Sequence, residues 1–291
     1  MFKGSIVALV TPFSDGKVDE IKLAELIEFH IANGTDAIVS CGTTGESATM
    51  SHEEDIAVTK FVIKAVNKRI PVIAGTGSNN TREAIYITEA AKLNGADAAL
   101  IVAPYYNKPT QEGLYLHYKK IAETVDIPMI LYNVPGRTGG AGILPETVVR
   151  LSKIPGITAI KEASGTVDNA SQILKELPGF NVLSGDDGIT LPMMALGAQG
   201  VVSVAANVIP DKIANMCKLA LKGDFAGARK IHFECHDLFK ALFYESNPIP
   251  VKTALNLMGA ISGELRLPLS PMGEDAKARL IKVMKNMGLI K

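Results

Sequence analysis

Residues 157–164 read ITAIKEAS. An apolar, β-branched run ends on Lys161, and a small polar turn follows. This is the pattern of a buried parallel strand at its C-terminal end. A lysine in a core is held either by an acid partner or as a neutral amine. Glu162 is the nearest acid in the chain. A neutral amine attacks ketones and forms a Schiff base. The strand alone leaves both readings open, and the rest of the chain has to decide between them.

The same unit repeats on both sides. Apolar runs fall at 5–13, 37–41, 71–75, 98–104, 128–135, 157–161, 181–184 and 200–204. Amphipathic stretches follow them at 22–33, from Ser51, and at 81–93, 111–124, 145–151, 168–177, 188–196 and 211–221. Ser51 with Glu54 three residues later reads as a capping box, and Pro145 as a helix start where a missing N–H costs nothing. Repeated strand–helix units demand parallel strands and right-handed crossovers. About eight of them in some 220 residues fit a closed (β/α)8 TIM barrel better than an open sheet. No GxGxxG follows the first strand, which weakens a dinucleotide-binding reading. From about residue 225 the alternation stops, and 225–244, 250–258 and 274–287 read as helices only. The expected organisation is an α/β barrel over 1–224 and a small helical C-terminal domain over 225–291, packed on the barrel.

Composition bounds the function. In 291 residues, 47% are hydrophobic and 21% charged, which excludes a disordered chain. Lys+Arg and Asp+Glu both number 30 with no basic stripe, which argues against a nucleic-acid partner. Cys41, Cys217 and Cys235 are odd in number and widely spaced. They fit reduced thiols of a cytosolic protein better than a disulfide framework or a metal site. The apolar run at the N-terminus is short and broken by Pro12, unlike a signal peptide, and no run is long enough to span a membrane.

In such a barrel, chemistry sits at the C-terminal ends of the strands. Polar and glycine-rich sequence clusters there: Gly42-Thr43-Thr44-Gly45-Glu46-Ser47 after the second strand, Tyr105-Tyr106-Asn107 after the fourth, and Tyr132 to Gly139 after the fifth. Lys161 and Glu162 end the sixth strand, and Ser184-Gly185-Asp186-Asp187 ends the seventh. Tyr132 and Lys161 end neighbouring strands about 4.8 Å apart, so their side chains can converge. A phenol beside a Schiff-base lysine supplies the proton transfers that carbinolamine, imine and enamine formation require. The plain alternative for Tyr132 is a core tyrosine with a bonded hydroxyl. Thr43 can hold or relay the phenolic proton. Arg137, on a glycine- and proline-rich loop, suits bidentate capture of a carboxylate, or is an ordinary surface arginine. The GTTGES turn lacks the GK[ST] of a phosphate-binding loop. Asp186 and Asp187 read better as helix N-caps than as metal ligands, since no matching His or Glu cluster accompanies them. His232 and His236 stand four apart on a helix, a spacing metals use, but without HExxH packing is the simpler account. No cofactor is called for.

Taken together, GTTGES (42–47), PYYNKPTQEGLYLHY (104–118), LYNVPGRTG (131–139), IKEAS (160–164), SGDD (184–187) and NPIPVK (247–252) resemble the dihydrodipicolinate synthase family. IKEAS or GTTGE alone points only to the wider pyruvate-lysine aldolases. The resemblance covers essentially the whole chain. It implies condensation of pyruvate with L-aspartate 4-semialdehyde, toward diaminopimelate and lysine, in the cytoplasm. It implies a Schiff base on Lys161 and a proton relay of Tyr132, Thr43 and Tyr106, with Tyr106 reaching into a neighbouring subunit's site. Arg137 is implied to guide the semialdehyde carboxylate and Thr44 to bind that of pyruvate. The Gly185 backbone and the Val202 carbonyl line the pocket in this likeness. A homotetramer, built as a dimer of dimers, is implied as well. Ser47, Ala48, His52, Asn79, Glu83 and Tyr105 match a regulatory lysine site between subunits, although Asp55 stands where some lysine-sensitive members carry a second histidine. The rival readings are a sugar-acid aldolase sharing the lysine and tyrosine, which Arg137 disfavours, and a barrel that only binds a small molecule.

Overall fold

A computed structural model describes residues 2–140 and 142–291 of the chain. The first apolar run gives a shorter strand than its composition implies. β1 is Gly4–Ala8. Beyond it, the Val10 N–H donates to Asn207 Oδ1 at 3.1 Å and leaves the sheet, and Pro12 has no N–H to give. Phe13 instead enters a small hairpin, β2 (Phe13–Ser14) and β3 (Lys17–Val18), which lay outside the expected alternation.

The alternation then proceeds through α1 (Glu20–Ala32), β4 (Ala37–Ser40), α2 (His52–Val66), β5 (Val72–Gly75), α3 (Thr81–Asn94), β6 (Ala98–Val102) and α4 (Gln111–Thr124). It continues with β7 (Met129–Asn133), α5 (Pro145–Leu151), β8 (Ile157–Glu162), α6 (Asp168–Glu176), β9 (Asn181–Ser184), α7 (Thr190–Ala195), β10 (Gly200–Ser203) and α8 (Pro210–Leu221). Ser51 caps α2 as a full capping box with Glu54, and Pro145 opens α5. The expected helix at 188–196 is split. Asp186 accepts from the Gly188 N–H and turns 187–189 into a tight 3-10 turn, and α7 starts only at Thr190.

Strands β1 and β4 to β10 form a closed parallel barrel, with β1 pairing β4 on one side and β10 on the other. Alternate residues face inward, as the two-residue period of a strand requires. Ile6, Val39, Ile73, Leu100, Ile130 and Leu183 meet in the barrel interior as one apolar cluster. Outward residues pack under the helices in two further clusters. The last three helices are α9 (Phe225–Ala241), α10 (Ile249–Leu257) and α11 (Glu274–Asn286). Leu238, Val251 and Leu280 of these helices share one apolar cluster with Leu23, Val62 and Met216 of the barrel's helices, so the C-terminal segment is joined to the barrel by a continuous core.

Closure is tightest where the first and last strands meet. Gly4 pairs with Gly200, whose φ is +152°. A Cβ at Gly200 would fall on the Gly4 backbone, 2.1 Å from its carbonyl oxygen. Backbone cannot swing away as a side chain can, so the seam tolerates no side chain there. We expect Gly200→Ala to lower the free energy of unfolding by roughly 3 kcal/mol or more. Chemical denaturation of the two proteins checks this, and equal midpoints would contradict it.

Candidate active site

Strand register brings the two central groups together. Tyr132 on β7 lies opposite Lys161 on β8, and Asn133 opposite Glu162. A bulge beside Met129 lets Thr158 drop out of the pairing, so Ile130 meets Ala159. From there the phase is fixed: Ala159 and Lys161 face the interior, while Ile160 and Glu162 face out. Lys161 is only 6% exposed, and its Nζ sits 4.0 Å from the centre of the Tyr132 ring. It takes part in no ion pair among the described residues. The alternative partner, Glu162, is used elsewhere. It accepts from Asn133 Nδ2 at 2.8 Å and from the Ser164 N–H at 2.7 Å, on the far side of the strand. Gly185 gives the lysine stem its room, since a Cβ there would lie 2.5 Å from the Ala163 Cβ and 3.0 Å from Lys161 Cε.

The GTTGES turn rises from the end of β4. Two non-glycine residues have left-handed backbones here, Cys41 (φ 52°) just before the turn and Glu46 (φ 57°) within it. Such conformations persist only where the surroundings hold them. The Thr44 hydroxyl accepts from Asn247 Nδ2 at 2.9 Å, and the Asn247 carbonyl accepts from Arg137 Nη2 at 3.1 Å. One residue near α10 therefore ties the turn to the arginine loop. A cavity of about 340 Å³ opens beside them, walled by Thr43, Tyr132, Arg137 and Thr138 among others. Lys161 is not in that wall and meets the cavity through Tyr132. Val202 is buried in the barrel interior, its backbone paired with Ile6.

The remaining sequence candidates divide. Ser47, Ala48, His52 and Tyr105 line the same cavity, so it runs from Thr43, Tyr132 and Arg137 toward the residues matched to a regulatory site. Asn79 and Glu83 do not line it. Asn79 donates to the Tyr105 carbonyl, and both Glu83 oxygens accept bonds, from Ser78 and Asn80. Tyr106 is 91% exposed, with φ +71°, and does not line the cavity. Asp186 and Asp187 act as caps: Asp187 is buried and accepts from Ser203 Oγ and from the Val204 and Ala205 N–H groups. His232 and His236 lie with ring centres 5.6 Å apart on α9, and no group of three or more ligating side chains among the described residues can hold a metal ion. No described helix is long and apolar enough to cross a membrane. Sequence reading missed Asn247, Asn133 and the charges of Glu46 and Lys252. The one signal available was a lysine inside the apolar run IPVKTAL at 249–255.

Known proteins match this arrangement over its full length. A model of the dihydrodipicolinate synthetase family matches residues 1–287. The 4-hydroxy-tetrahydrodipicolinate synthase of Geotalea uraniireducens is 58% identical over 292 residues, spanning 100% of both chains. Dihydrodipicolinate synthase from Aquifex aeolicus is 54% identical and superposes with a TM-score of 0.97 over 99% of each chain. The chloride-inhibited dihydrodipicolinate synthase from Acinetobacter baumannii, solved with pyruvate, superposes with a TM-score of 0.98 at 51% identity over 100% of both chains.

Asp55, in the cavity wall, gives the cleft a pH signature. Its side chain is buried and Oδ1 has no hydrogen-bond partner among the described residues. Burial pushes the carboxyl from 3.8 up to about 7. Between those values the folded protein keeps a proton that the unfolded chain has released. Stability from this group is therefore full below about pH 4 and is lost as pH rises toward 7. Asn resembles the protonated acid but cannot ionise. Relative to the parent, Asp55→Asn should gain roughly 2–4 kcal/mol of stability between pH 4 and pH 8. Denaturation curves at both pH values measure this, and parallel pH profiles for the two proteins would refute it.

Proposed function

The chain belongs to the dihydrodipicolinate synthetase family, and we propose that it performs the family's condensation through the Tyr132–Lys161 pair at the barrel mouth. It is an enzyme that joins pyruvate to L-aspartate 4-semialdehyde, giving 4-hydroxy-tetrahydrodipicolinate, in the diaminopimelate route to lysine. The observation that carries the residue assignment is a buried lysine with no counter-ion among the described residues, its Nζ 4.0 Å from the centre of a phenol ring.

In this reading, the Lys161 amine adds to the ketone carbon of pyruvate and the carbinolamine loses water. The imine then gives up a methyl proton to become an enamine. Its carbon attacks the aldehyde of the second substrate, and the new alkoxide takes a proton. The amino group of that substrate displaces Lys161 from the imine carbon, which closes the ring and frees the enzyme. Water leaves once, and the lysine is regenerated. Tyr132 carries the protons, steadied by Thr43 and by Tyr106 from a second copy of the chain. Thr44 takes the pyruvate carboxylate, and the Gly185 backbone and Val202 carbonyl complete that end. Arg137 takes the semialdehyde carboxylate. The division of labour follows the two parts, a barrel over 1–224 and helices over 225–291. Because Tyr106 is exposed in one chain, the reading calls for assembly, a homotetramer made of two dimers, working in the cytoplasm.

Borohydride reduction with pyruvate should label Lys161 and no other residue on peptide mapping. Lys161→Ala should lower kcat by at least about a thousandfold with the fold kept, and Tyr132→Phe by roughly 10²–10⁴-fold. Label on another lysine, or a near-normal rate for Lys161→Ala, would end this assignment. The cavity residues Ser47, Ala48, His52 and Tyr105, with Asn79 and Glu83 beside them, make a regulatory site for lysine in the same reading. Titrating lysine to millimolar levels in the assay should then inhibit, and flat activity would remove the site.

A further inference from the structure

The second buried lysine has no place in the mechanism above. Lys252 on α10 is 0% exposed, as is its partner Glu46. Its Nζ donates to Glu46 Oε1 at 2.5 Å and to the Thr11 carbonyl at 3.0 Å, and lies 4.3 Å from the centre of the Phe13 ring. Phe13 also faces the Arg266 guanidinium at 4.3 Å, so one ring of the β2–β3 hairpin meets two cations. The other Glu46 oxygen accepts from the Arg266 N–H at 3.2 Å. Burial draws the Lys252 ammonium below its usual range, and Glu46 opposes that shift.

Glu46 is the penultimate residue of the turn at 42–47. Its N–H donates to the Thr43 carbonyl at 3.1 Å, its carbonyl accepts from the Thr49 N–H at 2.9 Å, and its backbone is left-handed. Thr11, whose carbonyl accepts the hydrogen bond from Lys252 Nζ, donates through its hydroxyl to the Gly45 carbonyl at 2.7 Å. Both ends of the ammonium's hydrogen-bond network therefore terminate on the turn that presents Thr43 and Thr44. Asn247, five residues before Lys252, holds the Thr44 hydroxyl directly. A surface ion pair would contribute little, but a charge pair this deep leaves an uncompensated charge if one member is removed.

We propose that Lys252 is a positioning residue for the condensation, fixing Glu46 and through it the Thr43 and Thr44 hydroxyls from the C-terminal helices. The proposal rests on the Lys161 reading above, and it assigns Lys252 no contact with substrate. Its signature is a loss of rate that does not track loss of fold. An error of about 1 Å in a group that holds substrate or relays protons costs up to roughly a hundredfold in rate.

The test uses the full-length protein and two variants, Lys252→Met and the neutral double variant Glu46→Gln with Lys252→Met. Removing both charges leaves no lone buried ion, so the double variant should recover most of the thermal stability that the single variant loses. Under the proposal, both variants show kcat/KM lowered roughly 10- to 100-fold. Borohydride with pyruvate still labels Lys161 in both, but more slowly than in the parent. If the activity of the double variant returns in step with its stability, the pair is only structural and the proposal falls. Parental kcat/KM in a folded Lys252→Met protein also overturns it. Failure to label Lys161 in the parent strikes the underlying assignment instead, and the proposal goes with it.

Discussion

The parallel pairing of β7 with β8 is the constraint on which the rest of the site depends. Side chains alternate across a strand, so a slip of one residue would turn Lys161 into the helical layer and Glu162 into the barrel. The bulge at Thr158 sets the phase, and the bond between Asn133 and Glu162 locks it from outside. Small neighbours make the inward lysine fit. Ala159 precedes it on the same face, Ala163 follows the strand, and Gly185 on the next strand's end has no side chain to oppose its stem. Barrel closure then fixes every other strand relative to this pair.

Two buried lysines sit in different surroundings, and the proposed functions give them two different jobs. Lys252 has a carboxylate at 2.5 Å and a carbonyl at 3.0 Å, and those partners satisfy its charge. Lys161 faces a tyrosine ring and has no ion pair among the described residues. The first arrangement suits an ammonium that must stay charged and still. The second, in the proposed mechanism, leaves a nitrogen free to bond to substrate. Their roles cannot be exchanged, because each is set by what the fold places within about 4 Å rather than by the side chain itself.

Much of this was legible in the residues. Eight apolar runs with helices between them gave the barrel, and the strand ends gathered Thr43, Tyr132, Arg137 and Lys161 at one rim. Adjacency of the fifth and sixth strands was enough to bring the phenol to the amine. The bulge was not legible, since nothing in ITAIKEAS marks Thr158 as the residue that leaves the ladder. Long-range polar contacts were equally hidden. Asn247 reaches Thr44 across 203 positions, and Lys252 reaches Glu46 across 206. No periodicity connects such residues, and only the folded path of the chain brings them together. Asp55 was visible as a departure from a familiar pattern, but its burial in the cleft wall depends on how α2 sits against the turn.

The Glu46–Lys252 contact also has a meaning in time. A ribosome makes the turn early and its cation 206 residues later, which at ordinary elongation speeds is a delay of roughly 10–40 s. Tyr132 and Lys161 are made within that interval, so until α10 emerges the growing chain holds both without the cation that pairs with Glu46. A chain ended before α10 would hold Thr43, Tyr132 and Lys161 but lack the buried cation that ties the turn at 42–47 to the C-terminal helices.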